Sequence, residues 1–314
     1  MSSELTTTTA VLATVSGLAD DWLAAHRGNT RKQYGAELRR FSAWLGRPGG
    51  EALLVAGSAG ARRLALAYRD HLAGRGLAPA TVNRALAALR SLVSLARDME
   101  LVDWSLRVPG LKARAYRDTT GWSVEGVRSI LAEADSHPNA RKAARDGALL
   151  RVVYGLGLRR GEAAKQDEAI GLRVSDVDGD RLWVMGKGCD DRAPLTMPGP
   201  VVEAIDRWLT EHHPFPAPGE PLFVSLDNRS RGAPLSTRSV ARVVSTYAAR
   251  AGLKAAGAHA LRHSAITHGL DATEGDVRAV RAFSRHAKLE TLMKYDDNRN
   301  DGAGRVAALL GGLA

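Results

Sequence analysis

A long stretch of helical periodicity and a longer stretch of mixed pattern flank a short segment that has little of either. Residues 105–120, SLRVPGLKARAYRDTT, contain Pro109 and Gly110 and carry Arg107, Lys112, Arg114 and Arg117. Such a segment has no broad apolar face to bury, so it predicts a basic interdomain linker over 106–120. The chain then divides into a polar, frayed end over 1–16, a helical domain over 17–105 and a second domain over 121–314. A length of 314 residues suits two domains, each able to bury a core.

Within the first domain Tyr34, Leu38, Phe41 and Leu45 recur at helical spacing over 30–45, with Arg31, Lys32, Arg39 and Arg40 at other positions. A shorter helix is predicted over 64–72, stopped by the turn at Gly74–Gly76. Pro79 then sits where a first helical turn tolerates proline, and Val82, Leu86, Leu89 and Val93 share one face, with Asn83, Arg84 and Arg90 mostly off it. Beyond Ser123 the pattern is mixed. Helices are predicted over 124–134 and 143–154, then strands over 181–185 and 193–197 joined by a turn with Lys187 at its tip. Further helices are predicted at about 199–212, 236–251, 261–270, 274–283 and 288–295. The fold class is therefore mainly α with one small β-hairpin.

Forty-four Lys and Arg against 34 Asp and Glu leave a net charge of +10, which predicts an acidic polymer as partner. Arg outnumbers Lys 36 to 8. Arg grips phosphate oxygens two at a time, although general compositional bias explains the ratio equally well. A single cysteine, Cys189, excludes an internal disulfide framework and a cysteine-cluster metal site, and fits a reducing cytoplasmic setting. No apolar run reaches the roughly 18–20 residues of a membrane span, and the N-terminus does not read as a secretion signal.

Four segments of the second domain place phosphate binders beside proton donors: Gly157-Leu-Arg-Arg-Gly-Glu162, Gly186-Lys-Gly188, His259-Ala-Leu-Arg262 and Arg285-His286, with Tyr295 nine residues after the last histidine. A phosphodiester in transfer spreads negative charge over its non-bridging oxygens, and separated arginines can hold them. A tyrosine hydroxyl can attack phosphorus, and a lysine can protonate the departing oxygen. Singly, each segment has a plainer reading. His259 and Arg262 can bind a neighbouring carboxylate, Arg159-Arg160 can be a solvated basic step, and Lys187 an ordinary hairpin lysine.

Jointly, their order and spacing resemble the tyrosine recombinase or phage integrase family, and the resemblance runs from about residue 17 to the end. The Gly-Leu-Arg segment with Glu162, the Gly-Lys-Gly turn followed by Arg192 and Pro194-Leu195, the His259-x-x-Arg262 box continued by His263-Ser264, and the spacing of His286 and Tyr295 carry it. The likeness implies that Tyr295 forms a 3′-phosphotyrosyl link, that Arg159 and Arg262 hold the non-bridging oxygens, and that His259 and His286 support phosphate and proton movements. Lys187 would protonate the 5′-oxygen and Glu162 would orient Arg159. It implies a two-domain clamp on double-stranded DNA: a helical, SAM-like core-binding domain, in which Arg31, Arg84 and Arg90 are candidate DNA contacts, and an α+β catalytic domain. It implies no metal and no cofactor, and the sequence offers no phosphate-cradling Gly-x-x-x-x-Gly-Lys-Ser/Thr loop. The expected partners are specific core sites, a homotetramer formed on DNA and an accessory directionality factor, in the nucleoid of a bacterial cytoplasm.

The chain departs from the family pattern in two places. The stretch from Glu162 to Leu172 is longer than in relatives, so Glu168 rivals Glu162 as the acid behind Arg159. Arg285 stands where the family has glycine, which predicts either a different local backbone or an added cation touching DNA. Few residues precede the first predicted helix, so no arm-binding domain is expected. The tail Val306–Leu310 can dock in cis or into a neighbouring protomer. The expected activity is recombination for integration or excision of a phage or mobile element. Xer-like multimer resolution, type IB topoisomerase-like relaxation and a non-catalytic DNA-binding regulator are the alternatives.

Overall fold

Proline at the first position of a helix surrenders an N–H that has no intrahelical partner, and the longest described helix opens that way, at Pro79. The structure, a computed structural model, describes residues 17–112, 121–164, 171–186, 191–286, 289–296 and 311. The chain forms two compact units, Met1–Arg117 and Asp118–Ala314.

The first unit is helical: α1 over 17–24, α2 (Gly28–Leu45), α3 (Gly49–Val55), α4 (Gly57–Gly74) and α5 (Pro79–Asp98). Along α5, Val82, Leu86, Leu89 and Val93 are all buried, as their spacing predicts. They pack with Leu18, Trp22, Phe41, Leu53, Tyr68 and Leu72 in one core. The helix expected over 64–72 begins seven residues earlier as α4, because its first turns bury Ala61 and Ala65, too small to announce an apolar stripe. Residues 106–112 differ from a solvated connector. Leu106 and Val108 are buried in this core. Arg90 Nη2 donates to the Val108 carbonyl at 2.6 Å. The Asn83 amide donates to the Leu111 carbonyl at 2.9 Å and accepts from the Leu111 N–H at 2.7 Å. Residues 113–120 lie outside the described residues.

In the second unit α6 (Val124–Asp135) is capped by Ser123, whose Oγ accepts from the Gly126 N–H at 3.1 Å. α7 (Ala140–Gly155) is buried on nearly all sides and carries Leu149, Val152 and Val153 into the main core. A short helix α8 (Arg160–Ala163) follows, then a three-residue 3₁₀ turn, Val174–Asp176. The sheet is antiparallel in the order β1 (Val177–Asp178), β2 (Arg181–Met185), β3 (Arg192–Thr196). Leu182 pairs with Leu195 and Val184 with Ala193, so β2 turns Leu182 and Val184 inward while Arg181, Trp183 and Met185 face out. β1 is two residues long, too short to show alternation in the sequence. α9 (Gly199–Arg207) continues into a π-helical turn, Trp208–His212, which buries Trp208 with its Nε1 donating to the Leu222 carbonyl at 2.8 Å. α10 (Thr237–Arg250), α11 (Ala258–Ala272), α12 (Val277–Ser284) and α13 (Leu289–Asp296) complete the unit. The class is the one expected, mainly helical with a small antiparallel sheet. Among the described residues no helix is long and apolar enough to cross a membrane.

Candidate active site

The site grows from the turn after α7. Gly157 has a φ of +54°, and a Cβ there would come within 2.9 Å of the Phe283 ring on α12, so only glycine lets this turn press against that helix. The Gly157 carbonyl accepts from the Arg262 guanidinium and, at 3.3 Å, from Arg285 Nη2. The turn thus joins α7 to α11 and α12, and it delivers Arg159 to the start of α8.

Glu162 is the hub of the hydrogen bonds around Arg159. Its Oε1 accepts from Arg159 Nη1 at 2.7 Å. Its Oε2 accepts from the Arg159 backbone N–H at 2.7 Å and from Arg285 Nη2 at 2.9 Å. Arg159 Nη2 donates in turn to the Arg285 carbonyl at 3.1 Å. Arg262 is 1% exposed on α11; it donates to the carbonyls of Gly157 and Ser284, and its Nη2 lies 3.4 Å from His286 Nε2. Guanidinium groups only donate, so His286 Nε2 is the acceptor and Nδ1 bears the hydrogen, directed at Ser284 Oγ 3.0 Å away.

Among the described residues Arg159, Arg262 and Arg285 meet here with one carboxylate, that of Glu162, and the excess of positive charge suits an anion. Burial works to raise the Glu162 carboxyl, but the Arg285 charge, the Arg159 N–H and the Arg159 guanidinium outweigh it and hold the group below the usual carboxylate range. Burial also pushes the His286 imidazole down, and the charges of Arg262, Arg159, His259 and Arg285 act the same way, to about 4. His286 is therefore neutral at neutral pH.

The structure brings together Arg159, Glu162, Arg262 and His286. His259 lies one turn before Arg262 on α11, its ring 4.2 Å from that of His263, and its charge reaches His286. Tyr295 is on α13, whose Leu292 is buried with Ile266 and Leu270 of α11 and Val280 of α12. Lys187, Cys189 and Glu168 lie outside the described residues, as does the tail Val306–Leu310. β3 is anchored at its first residue by Arg192, which donates to Asp176 Oδ2 at 2.6 Å and to the Gly171 carbonyl at 3.1 Å. Sequence reasoning missed Ser284, a fully buried hydroxyl beside His286 that no spacing rule marks. Arg285 keeps glycine's left-handed backbone, with φ +54°, and its Nη groups turn inward to Glu162 and the Leu156, Gly157 and Phe283 carbonyls. Among the described residues no group of three or more His, Cys, Asp or Glu is placed to hold a metal ion.

The three arginines singled out in the first unit sit differently. Arg31 is exposed, and Arg84 is exposed with its Nε 3.5 Å from Glu37. Arg90 is half-buried and engaged with the Val108 carbonyl.

Comparison with known proteins identifies the family. The profile of the phage integrase family matches residues 123–301. The chain is 41% identical over 315 residues to a tyrosine recombinase of Synechococcus elongatus, with 92% of each chain covered. It is 39% identical over 254 residues to a tyrosine recombinase of Synechocystis, covering 80% of this chain and 78% of the relative. XerC of Salmonella typhi is 32% identical over 70% of each chain. Among solved structures, a lambda integrase dimer bound to a COC′ core site aligns with a TM-score of 0.61 at 15% identity, over 91% of this chain and 78% of that one. XerH recombinase bound to a palindromic difH substrate, a post-cleavage complex, aligns at 0.59 and 20% identity over 79% and 72%. The last two likenesses concern the fold. The chain belongs to the phage integrase family. Within it, the relatives define a site-specific tyrosine recombinase, an enzyme that cleaves and rejoins DNA.

Proposed function

We propose that Tyr295 is the nucleophile of this recombinase and that Arg159, Arg262, His259, His286 and Lys187 are its catalytic partners. In the forward step the Tyr295 oxygen attacks the scissile phosphorus, the bond to the 5′-oxygen breaks, and a 3′-phosphotyrosyl link forms. The freed 5′-oxygen takes its proton from Lys187. Arg159 and Arg262 hold the non-bridging oxygens as charge develops, and Glu162 keeps Arg159 aimed. His259 supports the phosphate, and His286, neutral beforehand, can take up a proton once an anion offsets the surrounding arginines. The bond energy stays in the phosphotyrosine, so the reverse attack by a second strand needs no nucleotide.

The observation that carries this reading is the convergence of Arg159, Arg262 and His286 on one site, with the helix that bears Tyr295 packed through Leu292 on α11 and α12. On this reading the chain acts as a homotetramer on two double-stranded core sites, through a Holliday junction, to integrate or excise a phage or mobile element. Relatives named XerC, among them the one from Salmonella typhi, favour a second reading, resolution of chromosome or plasmid multimers. The first unit would serve as the core-binding domain, with Arg31 and Arg84 on the DNA.

A nicked duplex that traps the cleaved state tests the chemistry. With chelator present, the wild type is expected to form a denaturation-resistant adduct, and Tyr295→Phe to bind the same DNA and form none. Adduct formation by the phenylalanine variant would remove Tyr295 from the mechanism. Substrates carrying the ends of a mobile element, set beside repeated chromosomal sites, separate the two biological roles.

A further inference from the structure

A non-glycine residue at φ +54° sits where its Cβ crowds the backbone, a conformation that persists when surrounding contacts impose it. At Arg285 those contacts are made chiefly by the side chain. Nη1 donates to the Leu156 and Phe283 carbonyls at 3.1 and 3.0 Å, and Nη2 to the Gly157 carbonyl and Glu162 Oε2 at 3.3 and 2.9 Å. The guanidinium therefore ties the end of α12 to the turn that launches Arg159. Its own backbone carbonyl closes the circuit by accepting from Arg159 Nη2 at 3.1 Å.

The arrangement differs from a surface cation. The Arg285 side chain is 20% exposed, its Nε is buried without a hydrogen-bond partner among the described residues, and both Nη groups are already committed. Such a group has little left to offer a phosphate. Glu162, by contrast, has one oxygen on the Arg159 guanidinium and the other shared between Arg159 and Arg285, so a displaced Arg285 leaves the buried carboxylate free to tilt. His286, the next residue after Arg285, is carried by the same backbone.

We propose that Arg285 is a positioning residue for DNA cleavage, which acts through Glu162 to hold Arg159 and through its backbone to hold His286. The inference rests on the reading of Arg159 as a phosphate-holding group. Its partner is the protein itself, and its effect belongs to the chemical step rather than to DNA affinity. A glycine there would relieve the backbone and still lose the clamp, which separates positioning from strain.

The test is single-turnover adduct formation on a nicked duplex whose cleavage site has been captured from sheared DNA of the source organism. Wild type is compared with Tyr295→Phe, Arg285→Gly, Arg285→Ala, Glu162→Gln and the double variant Arg285→Ala/Glu162→Gln, with DNA affinity and thermal midpoint measured for each. Both Arg285 variants are expected to slow cleavage on the order of 10- to 100-fold with unchanged affinity. The double variant should be no slower than the slower single one, because the two residues act through one contact. A wild-type rate in Arg285→Gly, or additive losses in the double variant, overturns the inference while leaving the functional reading intact. If wild type itself gives no Tyr295-dependent adduct, the functional reading fails instead. Should Arg285→Ala not fold, Arg285→Gly, free of backbone strain, decides alone.

Discussion

His286 is held neutral by burial and by the charges around it, and that arrangement stores a pH dependence in a single side chain. Its pKa in the folded protein lies near 4, against an ordinary value of 6.5. Between those values the unfolded chain binds the proton and the folded chain does not, so stability rises with pH across the window. This contribution is fully present above 6.5 and is lost as pH falls toward 4. Urea midpoints measured from neutral pH to the acid end of that window should fall in the wild type, and His286→Asn should flatten the decline. A midpoint equally pH-dependent in the variant would show that other groups control it. At this scale much of the candidate site was legible, because Arg159, Glu162, Arg262 and His286 are residue types of specific chemistry, and the structure brings these four together. Arg285 was legible only as an oddity. Nothing in its spacing says that a side chain rooted in a left-handed backbone will turn inward, since that depends on carbonyls of the Leu156–Gly157 turn far away in sequence.

Among the elements, α5 was readable because large apolar side chains repeat on one face and Pro79 marks its start. α3 and the opening turns of α4 were not, since glycine and alanine bury area without producing a strong period. The stretch 106–112 looked like a linker for the same reason in reverse. Its two buried residues, Leu106 and Val108, alternate instead of recurring at helical spacing, and its order comes from Asn83 and Arg90 on α5. Two arginines on that helix should therefore behave differently. Arg90→Ala removes a charged donor from a backbone carbonyl and should cost about 1.5 kcal/mol of stability in denaturant titrations. Arg84→Ala should leave stability nearly unchanged and lower the slope of log affinity against log salt by about 1, if Arg84 meets a phosphate. The opposite pattern would exchange their roles.

For the molecule as a whole, the two units have separate apolar cores, one built around Phe41, Tyr68 and Leu86 and the other around Leu149, Val153 and Trp208. Independent cores predict two unfolding transitions in calorimetry, and Phe41→Ala should lower the first unit's transition alone, by roughly 3–5 kcal/mol at its site. A single transition that shifts as one would show the units to be energetically coupled. Within the second unit a third, much smaller cluster of Ile266, Leu270, Val280 and Leu292 secures α13. The helix with Tyr295 thus hangs from a satellite of the main core. Among the described residues Leu292 is what α13 contributes to that cluster, so its amide hydrogens should exchange with deuterium through a local opening well before those of α7, which carries Leu149, Val152 and Val153 into the main core. If Tyr295 is the nucleophile, the attacking group rides on a helix that can let go of its neighbours while the core behind it stays intact.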